Sequence, residues 1–158
     1  MIKKYLAVIA LLLMGIMCHA QSLSLAELQS LTVMNDDQLH NYLIISKGFK
    51  GLGKTTINGF TYERFRSNRT NPSKAETISV GDNFRGASGN SARKVIYYTP
   101  RMEDMDSLYS EAKRSSMTLI FKGADVYQHI FRFDNSLFMA TISVSRDRRS
   151  GTVQIDEK

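Results

Sequence analysis

Leu25, Leu28 and Leu31 recur at helical spacing behind Ser24-Leu25-Ala26-Glu27, a quartet in which the serine hydroxyl and the glutamate carboxylate satisfy each other's orphan backbone amides. The spacing predicts a helix that opens at Ser24. Asn35-Asp36-Asp37 interrupts it and caps a second helix over 36–47, with two carboxylates at its positive end. Gly48 is placed to stop that helix in the left-handed conformation, and Phe49 to fold back on its last turn.

Beyond residue 53 the period changes from helical to alternating. Thr55, Ile57, Phe60, Tyr62 and Phe65 mix with polar residues around Asn58-Gly59, the strongest short hairpin signal. Residues 67–92 hold few large apolar groups and predict a loose excursion around one short strand over 77–80. A strand over 92–99 ends at Pro100, which cannot donate to a ladder. Residues 103–116 begin with acids and finish with Lys113 and Arg114, while Met105, Leu108, Tyr109 and Ala112 share one side, the pattern of an amphipathic helix. Three strands follow over 117–122, 126–133 and 137–145, the last two joined at Asp134-Asn135-Ser136, and an arm over 152–155 returns after a polar turn.

Strand runs beside segregated helices predict an α+β domain: a helical layer packed on a mainly antiparallel sheet. The halves match in outline. Asp37-Gln38-Leu39-His40 parallels Asp106-Ser107-Leu108-Tyr109, and Phe60-Thr61-Tyr62-Glu63-Arg64-Phe65 parallels Val126-Tyr127-Gln128-His129-Ile130-Phe131-Arg132-Phe133, so a duplicated helix-plus-strands unit is expected, although the spacing between the matched pieces differs by about four residues. In outline this order resembles the tandem helix-and-sheet repeats of the beta-lactamase inhibitor proteins. No motif accompanies the resemblance, and it transfers no residue.

The amino terminus changes the setting. Lys3 and Lys4 precede an apolar run over 5–17 and then Cys18-His19-Ala20, the three-part layout of a secretory signal, whereas a membrane span needs about 20 apolar residues. Cleavage is expected between Ala20 and Gln21. Lipidation of Cys18 competes with this reading, but Gly15-Ile16-Met17 lacks a small residue just before the cysteine. The expected product is a single domain over 21–158, periplasmic or secreted, with no stable membrane span after cleavage. Cys18 is the only cysteine, so that product has no disulfide, thiolate nucleophile or cysteine metal ligand. Lys3 and Lys4 leave too, and the 21 basic residues fall to 19 against 15 acidic ones, a balance of +4.

One motif has to be weighed. Gly48-Phe49-Lys50-Gly51-Leu52-Gly53-Lys54-Thr55 satisfies the phosphate-loop pattern, in which backbone amides cradle phosphates, the lysine reaches the terminal ones and the threonine binds magnesium. Only four positions are fixed, so ordinary composition produces it in roughly one chain in two hundred. A true phosphate loop opens a helix, but Lys54-Thr55-Thr56-Ile57 is β-branched and runs into the Asn58-Gly59 turn. Phosphate or nucleotide binding through Gly48, Gly53, Lys54 and Thr55 is therefore the alternative, and a glycine stop followed by a basic loop and a hairpin the main expectation.

Other catalytic chemistry finds little footing. His40 and His129 sit in different predicted elements without acidic residues at ligand spacing, so neither a metal site nor a cofactor is expected. No serine sits in a nucleophile elbow. Asp36-Asp37 and Glu103-Asp104 stand where helix capping explains them, although carboxylates paired in space would make a small envelope hydrolase the rival reading. Residues 63–101 hold eight basic residues against Glu63, Glu76 and Asp82, more excess charge than the whole mature chain. Arg64, Arg66, Arg69, Arg93 and Lys94 are the candidates there for a partner or an anion, set against the plainer reading of a solvated loop with positive strand ends. The function expected from the sequence is an exported, non-enzymatic binding module, of inhibitor or immunity type, with a protein partner. An anionic ligand is the second class that the basic stretch admits, and nucleic acid is not expected.

Overall fold

A computed structural model describes residues 22–57, 59–81, 84–85 and 91–158, with the backbone alone at 84–85 and 91–92. The expected leader, its cleavage site and Asn58 lie outside the described residues.

Helix α1 (Leu25–Val33) starts on the predicted capping box: the Glu27 amide donates to Ser24 Oγ at 3.3 Å, and the Ser24 amide donates to Glu27 Oε2 at 2.7 Å. Helix α2 (Asp36–His40) has its own box, in which the Gln38 amide reaches Asn35 Oδ1 at 2.9 Å and the Asn35 amide reaches Gln38 Oε1 at 3.1 Å. The expected continuous helix over 36–47 changes its ladder at Asn41 and runs on as a π-helical segment, Asn41–Ser46, closed by the Lys47 amide on the Tyr42 carbonyl at 3.0 Å. A π turn spaces equivalent positions five apart. Tyr42 and Lys47 are so spaced, and both reach Glu27 Oε1, at 2.6 and 2.5 Å. Gly48 then takes a φ of +69°, the left-handed stop that glycine adopts without a Cβ clash.

Among the described residues ten strands follow: β1 (Phe49–Ile57), β2 (Phe60–Ser67), β3 (Thr77–Gly81), β4 (Phe84–Arg85), β5 (Ser91–Ala92), β6 (Lys94–Thr99), then helix α3 (Met102–Arg114), β7 (Thr118–Ala124), β8 (Gln128–Asp134), β9 (Phe138–Ser145) and β10 (Gly151–Glu157). Eight of them form one antiparallel sheet in the order β1-β2-β3-β6-β10-β9-β8-β7, and β4 pairs with β5 apart from it. The fold is mixed α+β with the sheet dominant. Each half is a meander of sequential neighbours, and the halves meet where Val95 stands opposite Ile155 and Tyr97 opposite Val153.

One buried cluster joins Leu25, Leu28 and Leu31 of α1, Leu39 and Leu43, and Met105, Leu108 and Ala112 of α3 to alternate residues of the strands, including Phe65, Ile78, Tyr97, Ile142 and Val153. Each large side chain withdrawn from water there contributes about 1.5–3 kcal/mol before entropy is counted. One further expectation changes. Strand β1 starts at Phe49, so the segment read as a basic loop is extended chain paired to β2. The short strand expected over 77–80 forms as β3, which joins the main sheet and bonds to β2 and β6 on its two sides.

Candidate functional site

Successive side chains of a strand point to opposite faces, so the core residues fix what the other face carries. Phe49, Phe65, Ile78, Tyr97, Val153 and Ile142 belong to the buried cluster. Cross-strand register sets their neighbours in two rows on the opposite face. One row runs Lys50, Arg66, Thr77, Tyr98, Thr152, Ser143, and the other Arg64, Ser79, Ile96, Gln154, Thr141, Arg132. Arg132 is followed by Phe121, whose ring centroid lies 5.8 Å from the guanidinium carbon.

Neither row contains a carboxylate. Lys50, Arg64 and Arg66 are exposed, and among the described residues they have no ion pair. Lys50 stands directly opposite Arg66, a cross-strand pairing of like charges that works against the sheet. Tyr98, 37% exposed, stands one strand beyond Thr77 on the same row and offers an aromatic ring with a polar tip.

The other three candidates of the basic stretch are engaged elsewhere. Arg69 meets the buried Glu76 at 3.2 Å, Arg93 pairs with Asp36 at the start of α2, and Lys94 meets Asp156 at 3.1 Å. Glu76 also receives Arg101 at 2.5 Å and the Tyr97 hydroxyl at 3.0 Å. The same Arg101 Nη2 lies 2.8 Å from Asp104, which accepts the Thr99 hydroxyl at 2.8 Å. Burial, followed by the charges of Glu76 and Asp104, raises the Tyr97 hydroxyl far above the ordinary tyrosine range, so it stays a donor. Glu76 and Asp104, which share Arg101, are thus committed to two arginines, a tyrosine and a threonine.

The phosphate-loop-like segment is a strand. After Gly48 the chain stays extended from Phe49 to Ile57, Gly53 takes a φ of +82° at a bulge, Lys54 stands opposite Glu63 and Thr55 opposite Tyr62. The loop-to-helix junction that would aim several amides at a phosphate is replaced by an edge strand, whose amides point alternately towards β2 and away from it. His40 pairs with Glu63 at 2.7 Å, and His129 lies on β8. Among the described residues no group of three or more His, Cys, Asp and Glu is placed to hold a metal ion, and no helix is long and apolar enough to cross a membrane.

Sequence reasoning missed Lys50, Tyr98, Arg132 and Phe121 as members of the face. The alternation that begins at Phe49 carried a signal for Lys50, hidden by the glycines that follow. No local pattern brings Arg132 beside Thr141, because that depends on register. No family model, curated protein or solved structure matches the chain.

Proposed function

We propose that the chain is an exported, non-enzymatic binding module, of inhibitor or immunity type, that docks an acidic protein surface on the sheet face carrying Lys50, Arg64, Arg66 and Tyr98. The helices form a layer over the opposite face, and the two helix-plus-meander halves are a duplicated unit whose combined sheets make a surface wider than either half provides. The observation that carries this reading is the unneutralised like-charge cluster of Lys50 opposite Arg66 with Arg64 beside it. It lowers the stability of the sheet and is explained by a partner that supplies the missing carboxylates.

Size supports it as well. Eight strands at about 4.8 Å spacing and about 20 Å of strand length give a face of about 700 Å², close to the ~800 Å² that each partner buries in a standard protein interface. The sequence of helix and then four sheet strands, met twice along the chain, supports the inhibitor-like class suggested by the outline resemblance. The engagement of Glu76 and Asp104 in ion pairs favours a binding role over carboxylate hydrolysis. Export rests on Lys3, Lys4 and the apolar run up to Ala20. The test is a partner capture in which salt and charge reversal at Lys50, Arg64 and Arg66 abolish the same complex.

A further inference from the structure

The core side of the sheet is filled unevenly. Over β1 and β2 the segment after α1 fills the space: Leu39 and Leu43 are buried, and the His40 ring stands edge-on to Phe65 at 5.7 Å. On the side of β8, Tyr109 of α3 packs on Phe131 and Phe133. Between α3 and strands β7–β9 this leaves a cleft of about 490 Å³, within the usual range of small-molecule sites.

Its floor and its rim differ in chemistry. Met105, Tyr109, Phe131 and Val144 supply apolar surface, and Tyr109 is locked there by edge contacts to Phe131 at 4.8 Å and Phe133 at 5.6 Å. Lys122, His129, Arg146 and Arg148 stand around this surface, with Asp106 as the sole acidic lining residue. Asp106 is already answered, because one Arg148 nitrogen reaches both of its oxygens at 3.1 and 3.2 Å. Arg148 holds that place with a φ of +52°, an uncommon conformation for a residue other than glycine. The charges left over are Lys122, which has no ion pair among the described residues, and Arg146, which makes no direct ion pair there either, although its field helps to lower the Asp125 carboxyl behind the backbone bonds from Tyr127 and Gln128.

We propose that this cleft binds a small amphiphilic anion, its apolar body on Tyr109, Phe131 and Met105 and its single negative group at the rim shared by Lys122 and Arg146. The site lies on the opposite side of the sheet from the proposed partner face and stands or falls independently of it.

The test is fluorescence titration of the purified protein with 8-anilinonaphthalene-1-sulfonate, followed by displacement with dodecanoate and with dodecanol, its uncharged counterpart. Saturable one-site binding is expected, displaced by dodecanoate about tenfold more readily than by dodecanol, since one retained charge contact is worth about one decade. Lys122 and Arg146 are exposed, so Lys122→Gln and Arg146→Gln are expected to leave the circular dichroism spectrum unchanged. Each is expected to weaken dodecanoate about tenfold, while Arg64→Gln leaves it unaltered. An anionic lipid offers the same chemistry: co-sedimentation with phosphatidylglycerol vesicles that Lys122→Gln abolishes identifies a lipid source, and dodecanoate binding without vesicle binding identifies a free ligand. Absence of saturable binding, equal displacement by the alcohol, or affinity unmoved in both rim variants overturns the proposal.

Discussion

The Tyr97 hydroxyl donates a 3.0 Å hydrogen bond to Glu76, and both side chains lie in the interior beside the junction of the two half-sheets. Glu76 meets both Arg69 and Arg101. Glu76→Ala leaves Arg69 without its partner and the Tyr97 hydroxyl unsatisfied, at a cost of about 3 kcal/mol, whereas Tyr97→Phe removes a single hydrogen bond and costs about 1 kcal/mol. Urea denaturation of the two variants checks the ranking.

A second prediction concerns acid. Burial acts to raise the Glu27 carboxyl, but hydrogen bonds from Lys47, Tyr42 and Ser24 outweigh it and hold the group down at about 2, against 4.5 for a free side chain. Because the folded value lies below the unfolded one, the contribution of this site is complete above about pH 4.5 and is lost as the pH falls towards about 2. Stability measured at about pH 6 and about pH 3 should drop less for Glu27→Gln than for the unaltered chain, with the variant weaker by about 2 kcal/mol at the higher pH. Equal drops would show that other carboxylates govern the acid limb.

Lys54→Ala is expected to change nothing in a titration with ATP and magnesium, because Lys54 stands in a strand opposite Glu63 and no helix opens behind it. Calorimetry of both proteins should register no saturable heat. Micromolar binding abolished by the substitution would restore the phosphate-loop reading of Gly48, Gly53, Lys54 and Thr55.

Export gives a prediction about covalent structure. Amino-terminal sequencing or intact mass of protein from the envelope fraction should find a chain that starts at Gln21, or its cyclised pyroglutamate form. A lipid-bearing Cys18, or an intact Met1 in the cytoplasm, would overturn the proposed compartment.

What was legible in the sequence is what local chemistry decides. Ser24 with Glu27 starts one helix because the capping partners lie three residues apart, Asn35 caps the next, and Gly48 ends it because a residue with a Cβ would be strained there. The strands from β7 to β10 follow from alternation interrupted by polar turns. The early start of β1 was hidden, since Gly51 and Gly53 weaken strand propensity and pairing with β2 overrides it. Arg93 looked like Arg64 in composition, yet it meets Asp36, 57 residues away. Which arginines stay on an uncovered face and which enter ion pairs depends on such long-range partners and on register, and neither has a local signature.

The central claim is that Lys50, Arg64 and Arg66 form a partner surface, and one capture experiment tests it directly. The protein and a Lys50→Glu/Arg64→Glu/Arg66→Glu variant are each used to retain envelope and culture-supernatant proteins at about 0.1 M and about 1 M salt, between which the Debye length shrinks from about 10 Å to about 3 Å. The account predicts one acidic protein retained at low salt, much reduced at high salt and absent from the variant, with association slowed more than dissociation is hastened. A partner held equally by the variant, or none at either salt, would contradict it.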